Sequence, residues 1–115
     1  MKITVELENL INYIRDKFIE LGLVDKTHPN AAAEHSFTYV KAGLEPNYDK
    51  GRTVTIHICY KSNGAANNTS VYLNSMVWDR RSGYGDCTVK ISIRDGKKKV
   101  DRLINEVVNT YLQNV

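Results

Sequence analysis

Apolar residues recur at three- and four-residue spacing near both ends of the chain. Val5, Leu7, Leu10, Ile11, Ile14, Phe18 and Leu21 form the first series, with Glu6, Asn9, Asn12, Asp16 and Glu20 on the other side. That is the period of an amphipathic helix, which the spacing predicts over residues 4–21. Thr4 can cap its first turn, Glu6 and Glu8 suit its positive end, and Gly22 can stop it. Val100, Leu103, Ile104, Val107, Val108, Tyr111 and Leu112 form the second series. It predicts a last helix, opened by Asp95 or Gly96.

The middle of the chain changes period. Residues 23–35 read as a loop, broken at His28-Pro29-Asn30. Four strand-like runs follow. Ser36–Lys41 is short and aromatic. Residues 52–61 set Val54, Ile56, Ile58 and Tyr60 against Thr53, Thr55, His57 and Cys59. Residues 69–78 set Val71, Leu73, Ser75 and Val77 against Tyr72, Asn74, Met76 and Trp78. Residues 87–94 set Val89, Ile91 and Ile93 against Thr88, Lys90, Ser92 and Arg94. Strict alternation is the signature of a half-buried strand. Residues 47–51, 63–68 and 79–86 are the turns between these runs.

The order α-β-β-β-β-α, with short links, implies an antiparallel sheet with one buried face. Each helix carries one apolar stripe that needs cover. We therefore expect an α+β fold in one domain, residues 1–115. It is a two-layer sandwich of a four-stranded antiparallel sheet with the N- and C-terminal helices packed on one face. Two helices on one face leave the other bare. If Tyr72, Met76 and Trp78 lie there, that face is too aromatic for plain solvent exposure. It then serves as a homodimer interface or a ligand platform.

Composition excludes more than it assigns. At 42% hydrophobic and 25% charged, the 115 residues match an ordinary globular domain, not a disordered or fibrous chain. No stretch reaches the roughly 18 apolar residues of a membrane span. The first residues, Met1 to Glu6, lack the apolar core of a secretory leader, so we expect a cytoplasmic protein. Cys59 and Cys87 are then thiols rather than a disulfide. The net charge of +3 is unevenly spread. Residues 1–50 carry 6 basic and 8 acidic side chains, and residues 51–115 carry 10 and 5. The second half clusters Arg80, Arg81, Lys90, Arg94, Lys97, Lys98, Lys99 and Arg102. Such a region attracts phosphates or an acidic protein surface, although a solvated basic face also serves solubility.

Candidate chemistry concentrates in the segment from Trp78 to Asp86. It reads as a loop longer than a hairpin needs. Arg80 and Arg81 can fork onto phosphate, and Trp78 and Tyr84 can stack on a base. Gly83 and Gly85 would let a ligand approach the backbone. Asp79 and Asp86 are expected to be neutralised by the adjacent arginines. Lys97, Lys98 and Lys99 open the last helix, where cations oppose the helix dipole and an anion is welcome. Arg94 lies just before them.

His57 and Cys59 share a strand face, yet no third group is in place to orient a nucleophile, so no enzyme is expected. His28 and His35 have no standard metal spacing, and no cofactor is expected. The best-supported function is binding of an anionic, nucleotide-like small molecule or nucleic acid by Trp78, Arg80, Arg81, Tyr84, Arg94, Lys97 and Lys98. The alternative is a protein-interaction or structural module, an inhibitor of a host complex or an assembly part, that meets an acidic partner. Small size, Asn-, Lys- and Tyr-rich composition and the lack of an enzyme motif suit a phage or mobile-element product. The α-β4-α order is loosely similar to that of phage tail-terminator proteins, a likeness of fold order alone. Residues 96–102 resemble the lysine-bearing start of the second helix in double-stranded RNA-binding domains. The four strand runs and the lack of an alanine-rich face depart from that family, and we do not assign the chain to it.

Overall fold

The computed structural model describes residues 2–115. Met1, the first residue of the segment expected not to be a leader, lies outside them. Thr4 adopts extended geometry, and its hydroxyl accepts a hydrogen bond from the Leu7 N–H at 3.3 Å. Helix α1 then runs Val5–Glu20. Gly22, at φ +90°, turns the chain away through a conformation that side chains rarely adopt. Leu7, Ile11, Ile14 and Phe18 are fully buried. Val5 and Leu21 are exposed. They are the first helical residue and the C-cap, where the apolar stripe overruns the helix.

Residues 23–35 are not a plain loop. Leu23–Asp25 form strand β1, and Pro29–Ala33 form a short helix, α2, whose start is capped by the His28 ring. Strand β1 pairs antiparallel with β2 (Ser36–Lys41), so the sheet has five strands instead of the four expected. Three residues are too few to display alternation, so only the pairing reveals β1. Strands β3 (Lys50–Tyr60), β4 (Ala66–Asp79) and β5 (Ser82–Ser92) complete the sheet. Its order is β1-β2-β3-β4-β5, antiparallel throughout, each strand beside its sequence neighbour. Helix α3 (Lys97–Leu112) closes the chain, with Gly96 as its N-cap.

Both long helices lie on one face of the sheet, as expected for this α+β class. Their buried residues join Phe37, Tyr39, Val54, Ile56, Ile58, Val71, Leu73 and Ile91 in one core. Phe18 meets Tyr39 edge-to-face at 5.1 Å between ring centroids. Arg15 stacks over Phe37 at 4.0 Å and donates to the Tyr39 hydroxyl at 2.8 Å and to Asp25. The Tyr13 hydroxyl bonds Asp101, linking α1 to α3. No helix among the described residues is long and apolar enough to cross a membrane.

Register fixes the opposite face. Thr53, Thr55 and His57 of β3 stand beside Met76, Asn74 and Tyr72 of β4. Those in turn stand beside Gly85, Thr88 and Lys90 of β5. Tyr72, Met76 and Trp78 therefore do face away from the helices. Arg94, expected on this face, lies beyond the end of β5.

Phe18→Ala removes a fully buried ring that touches both layers. It should lower unfolding stability by about 3–5 kcal/mol in urea titration, with little change in the dependence on denaturant.

Candidate functional site

The segment read as a long loop is a continuous hairpin. Strand β4 runs to Asp79 and β5 starts at Ser82, and these two residues pair directly. Only Arg80 and Arg81 form the turn, at φ +49° and +65°. Both central residues in the left-handed region define the primed turn that suits the twist of paired strands. Asparagine and glycine usually occupy it, because an L side chain there costs about 1–2 kcal/mol per residue. The tip is braced from below. The Arg80 N–H donates to the Asp49 carbonyl at 2.9 Å, and the Arg81 N–H to the Tyr48 carbonyl at 2.7 Å. Sequence reading did not single out Tyr48 or Asp49, since nothing local marks them as partners of the tip.

The glycines serve the hairpin instead of a ligand. Gly83 stands opposite Trp78, and a Cβ there would fall 2.5 Å from the indole ring. A Cβ on Gly85 would fall 2.4 Å from the Thr88 hydroxyl. Trp78 also donates its indole N–H to the Thr53 hydroxyl at 2.9 Å and meets Tyr48 edge-to-face at 4.9 Å. Its ring is a packed part of the hairpin more than an open stacking face. Tyr84 is 62% exposed.

Asp79 and Asp86 are not neutralised by Arg80 and Arg81. A bulge in β5 leaves Asp86 unpaired between Gly85 and Cys87. Its carboxylate accepts from Arg52, which also donates to Ser75 at 3.3 Å. Burial raises the Asp86 pKa, but the bonds from Arg52 and Ser75 outweigh it and hold the carboxyl below its usual range. Arg81 lies 4.0 Å from Asp49, with both side chains largely in water. A solvent-open groove of about 490 Å³ beside the hairpin is lined by Lys50, Arg52, Val77, Trp78, Asp79 and Tyr84.

The seven expected site residues fall into two groups. Trp78, Arg80, Arg81 and Tyr84 sit at one end of β5, and Arg94, Lys97 and Lys98 follow its other end. The turn arginines precede the eleven residues of β5 and Arg94 follows them, a strand length of about 33 Å at ~3.3 Å per step, with Tyr84 lying within the strand. Lys90 lies between the groups, exposed on the helix-free face. Lys99 pairs with Asp95 at 3.1 Å. Among the described residues, no ion pair engages Arg80, Lys90, Arg94, Lys97 or Lys98.

The helix-free face is polar and ordered. Thr53, Thr55, Ser70 and Asn74 are buried on it. Asn74 donates to Thr55 at 3.3 Å and accepts from Thr88 at 2.7 Å. His57 Nδ1 shares a 3.1 Å hydrogen bond with the Ser36 hydroxyl, and Cys59 lies 3.6 Å from the Ser70 hydroxyl. Imidazole and thiol thus engage different serines. Burial pushes the His57 pKa below its ordinary value near 6.5. Among the described residues, no cluster of His, Cys, Asp or Glu is placed to hold a metal ion. Comparison with known proteins finds no matching family model, curated protein or solved structure.

Two outcomes follow. Gly83→Ala forces the indole aside and should cost about 1–3 kcal/mol, whereas Gly96→Ala meets no atom within 4 Å. Trp78 is the sole tryptophan, so its emission should shift in the first variant and stay unchanged in the second. For His57, the unfolded chain takes up a proton near pH 6.5 that the folded chain refuses until lower pH. Stability should therefore drop as pH falls from about 7.5 to about 5.5, and His57→Gln should reduce that drop, as read by urea unfolding at both pH values.

Proposed function

We propose that this protein is a binding module for nucleic acid, which it engages through phosphates along the β5 edge. One observation carries the reading: unpaired cations stand at both ends of an exposed edge strand, with Lys90 between them. Arg80 stands at the tip beside Arg81, which lies 4.0 Å from Asp49, and Arg94, Lys97 and Lys98 follow the strand. A span of about 33 Å exceeds what one nucleotide can bridge. A nucleic-acid strand repeats a charge about every 3.4 Å and meets such a span along its whole length. The strained turn supports the same reading. Two arginines occupy backbone positions that asparagine and glycine fill at lower cost, as residues kept for binding can do.

His57 and Cys59, each engaged by its own serine, support binding over catalysis as the activity. The two cysteines are free, which suits a reducing compartment such as the cytoplasm. Size and composition support an origin in a phage or another mobile element.

The test is a fluorescent oligonucleotide titrated at several salt concentrations. Affinity should fall linearly on a log–log salt plot, at about 0.7 per phosphate contacted on a single strand. Replacing the turn by Arg80→Asn with Arg81→Gly should flatten that slope and weaken binding. The same variant should raise unfolding stability by about 1 kcal/mol, because the new residues suit the turn. Salt-insensitive binding, or stabilisation by mononucleotides alone, would overturn the reading in favour of a small ligand. Capture of an acidic protein with no affinity for nucleic acid would overturn it in favour of an interaction module.

A further inference from the structure

We infer that the nucleic acid is single-stranded and crosses the helix-free sheet face, with a base stacked on Tyr72. This rests on the nucleic-acid reading above and names the strand form and the surface it uses. Four register partners make one row across the sheet: Ser36, His57, Tyr72 and Lys90. Facing side chains in such a row stand about 5 Å apart. Tyr72 is 39% exposed, a large aromatic ring on a face that no helix covers. The Lys90 ammonium lies over its ring, 5.8 Å from the centroid, so the ring face already holds a cation that a stacked base would displace. His57 is held by Ser36 on the other side, and burial favours its neutral form. A base stacked on Tyr72 would release the Lys90 ammonium from the ring to meet the flanking phosphate.

Charge decides what fits this face. None of the strand residues that register places on it is Asp or Glu, whereas Lys90 stands at its border. A second copy docked here would bring Lys90 against a face with no carboxylate to receive it. A polyanion has the complementary charge. The platform is also rigid beforehand. The neighbouring row ties Thr55, Asn74 and Thr88 by hydrogen bonds, so little side-chain ordering remains for binding. Duplex DNA or RNA keeps its bases stacked inside, out of reach of a ring lying flat on a sheet. A single strand can splay a base onto it.

The experiment compares a labelled single strand with a duplex of the same length by fluorescence anisotropy at fixed salt. The wild type should prefer the single strand. Tyr72→Ala should weaken it by about 5- to 150-fold, the range for loss of one stacked base. Tyr72→Phe, which keeps the ring, should bind as the wild type does. Tyr72→Thr retains strand preference and should behave as the alanine variant does, which separates loss of stacking from loss of folding. The salt slope of all three should stay near that of the wild type, since no phosphate contact is removed. Equal affinity for duplex, or an unaffected Tyr72→Ala, would overturn this inference while the phosphate reading stands. Absence of nucleic-acid binding at low salt would overturn both. A homodimer in native mass spectrometry that Tyr72→Ala dissociates would assign the face to a second copy and overturn this inference.

Discussion

Two helices and one sheet impose the constraint on which the rest of the structure depends. Each helix has a single apolar stripe, and both stripes go to the same side of the sheet. The other side must then face water without a covering layer. It does so with polar residues at many of the outward positions, although Tyr72, Met76 and Trp78 also stand there. Thr53, Thr55, Ser70 and Asn74 are buried there, and hydrogen bonds to neighbours satisfy their side chains. An unpaired hydroxyl or amide in that setting would cost more than it returns, so the face holds one geometry. A rigid, open, polar surface is a consequence of the layer count before it is anything functional.

The edge of the sheet follows from the same arrangement. A meander closes neither side, so β5 keeps one row of backbone groups free for unwanted pairing. The bulge at Asp86 and the lysine at position 90 are ordinary devices against such pairing. Here they also set the charge pattern. The bulge turns Asp86 toward Arg52 on the helix side, and among the described residues no ion pair engages Arg80, Lys90 or Arg94. Asp86 is committed to Arg52 and Asp95 to Lys99.

Alternation and helical spacing were enough to place the two long helices and four of the five strands, because burial of one face imposes a period on the residues that make it. β2 matches its expected bounds, and the inward and outward sets of β4, and of β3 as far as Ile58, are as alternation implied, whereas the register shifts after Ile58 and Tyr60 is exposed. The segment from Trp78 to Asp86 was misread for an identifiable reason. Two glycines and two arginines are poor strand and turn formers when judged singly. Gly83 is there because the Trp78 ring lies across it, a pairing invisible until the strands are in register. The basic residues were legible as types, but their separation was not. Arg80 and Lys97 are near in sequence, and a single strand carries them to opposite ends of the fold.

The sequence by itself determined the class of the fold, which side chains alternate, and where positive charge accumulates. These follow from local periods and from counting, and both are properties of the chain alone. Tertiary structure decided which residues meet. It paired β1 with β2, gave Asp86 to Arg52 and not to Arg80 or Arg81, and lined up Ser36, His57, Tyr72 and Lys90 across four strands. Register is the physical reason. It is set by turns, bulges and the burial of a whole face at once, so no single segment carries it.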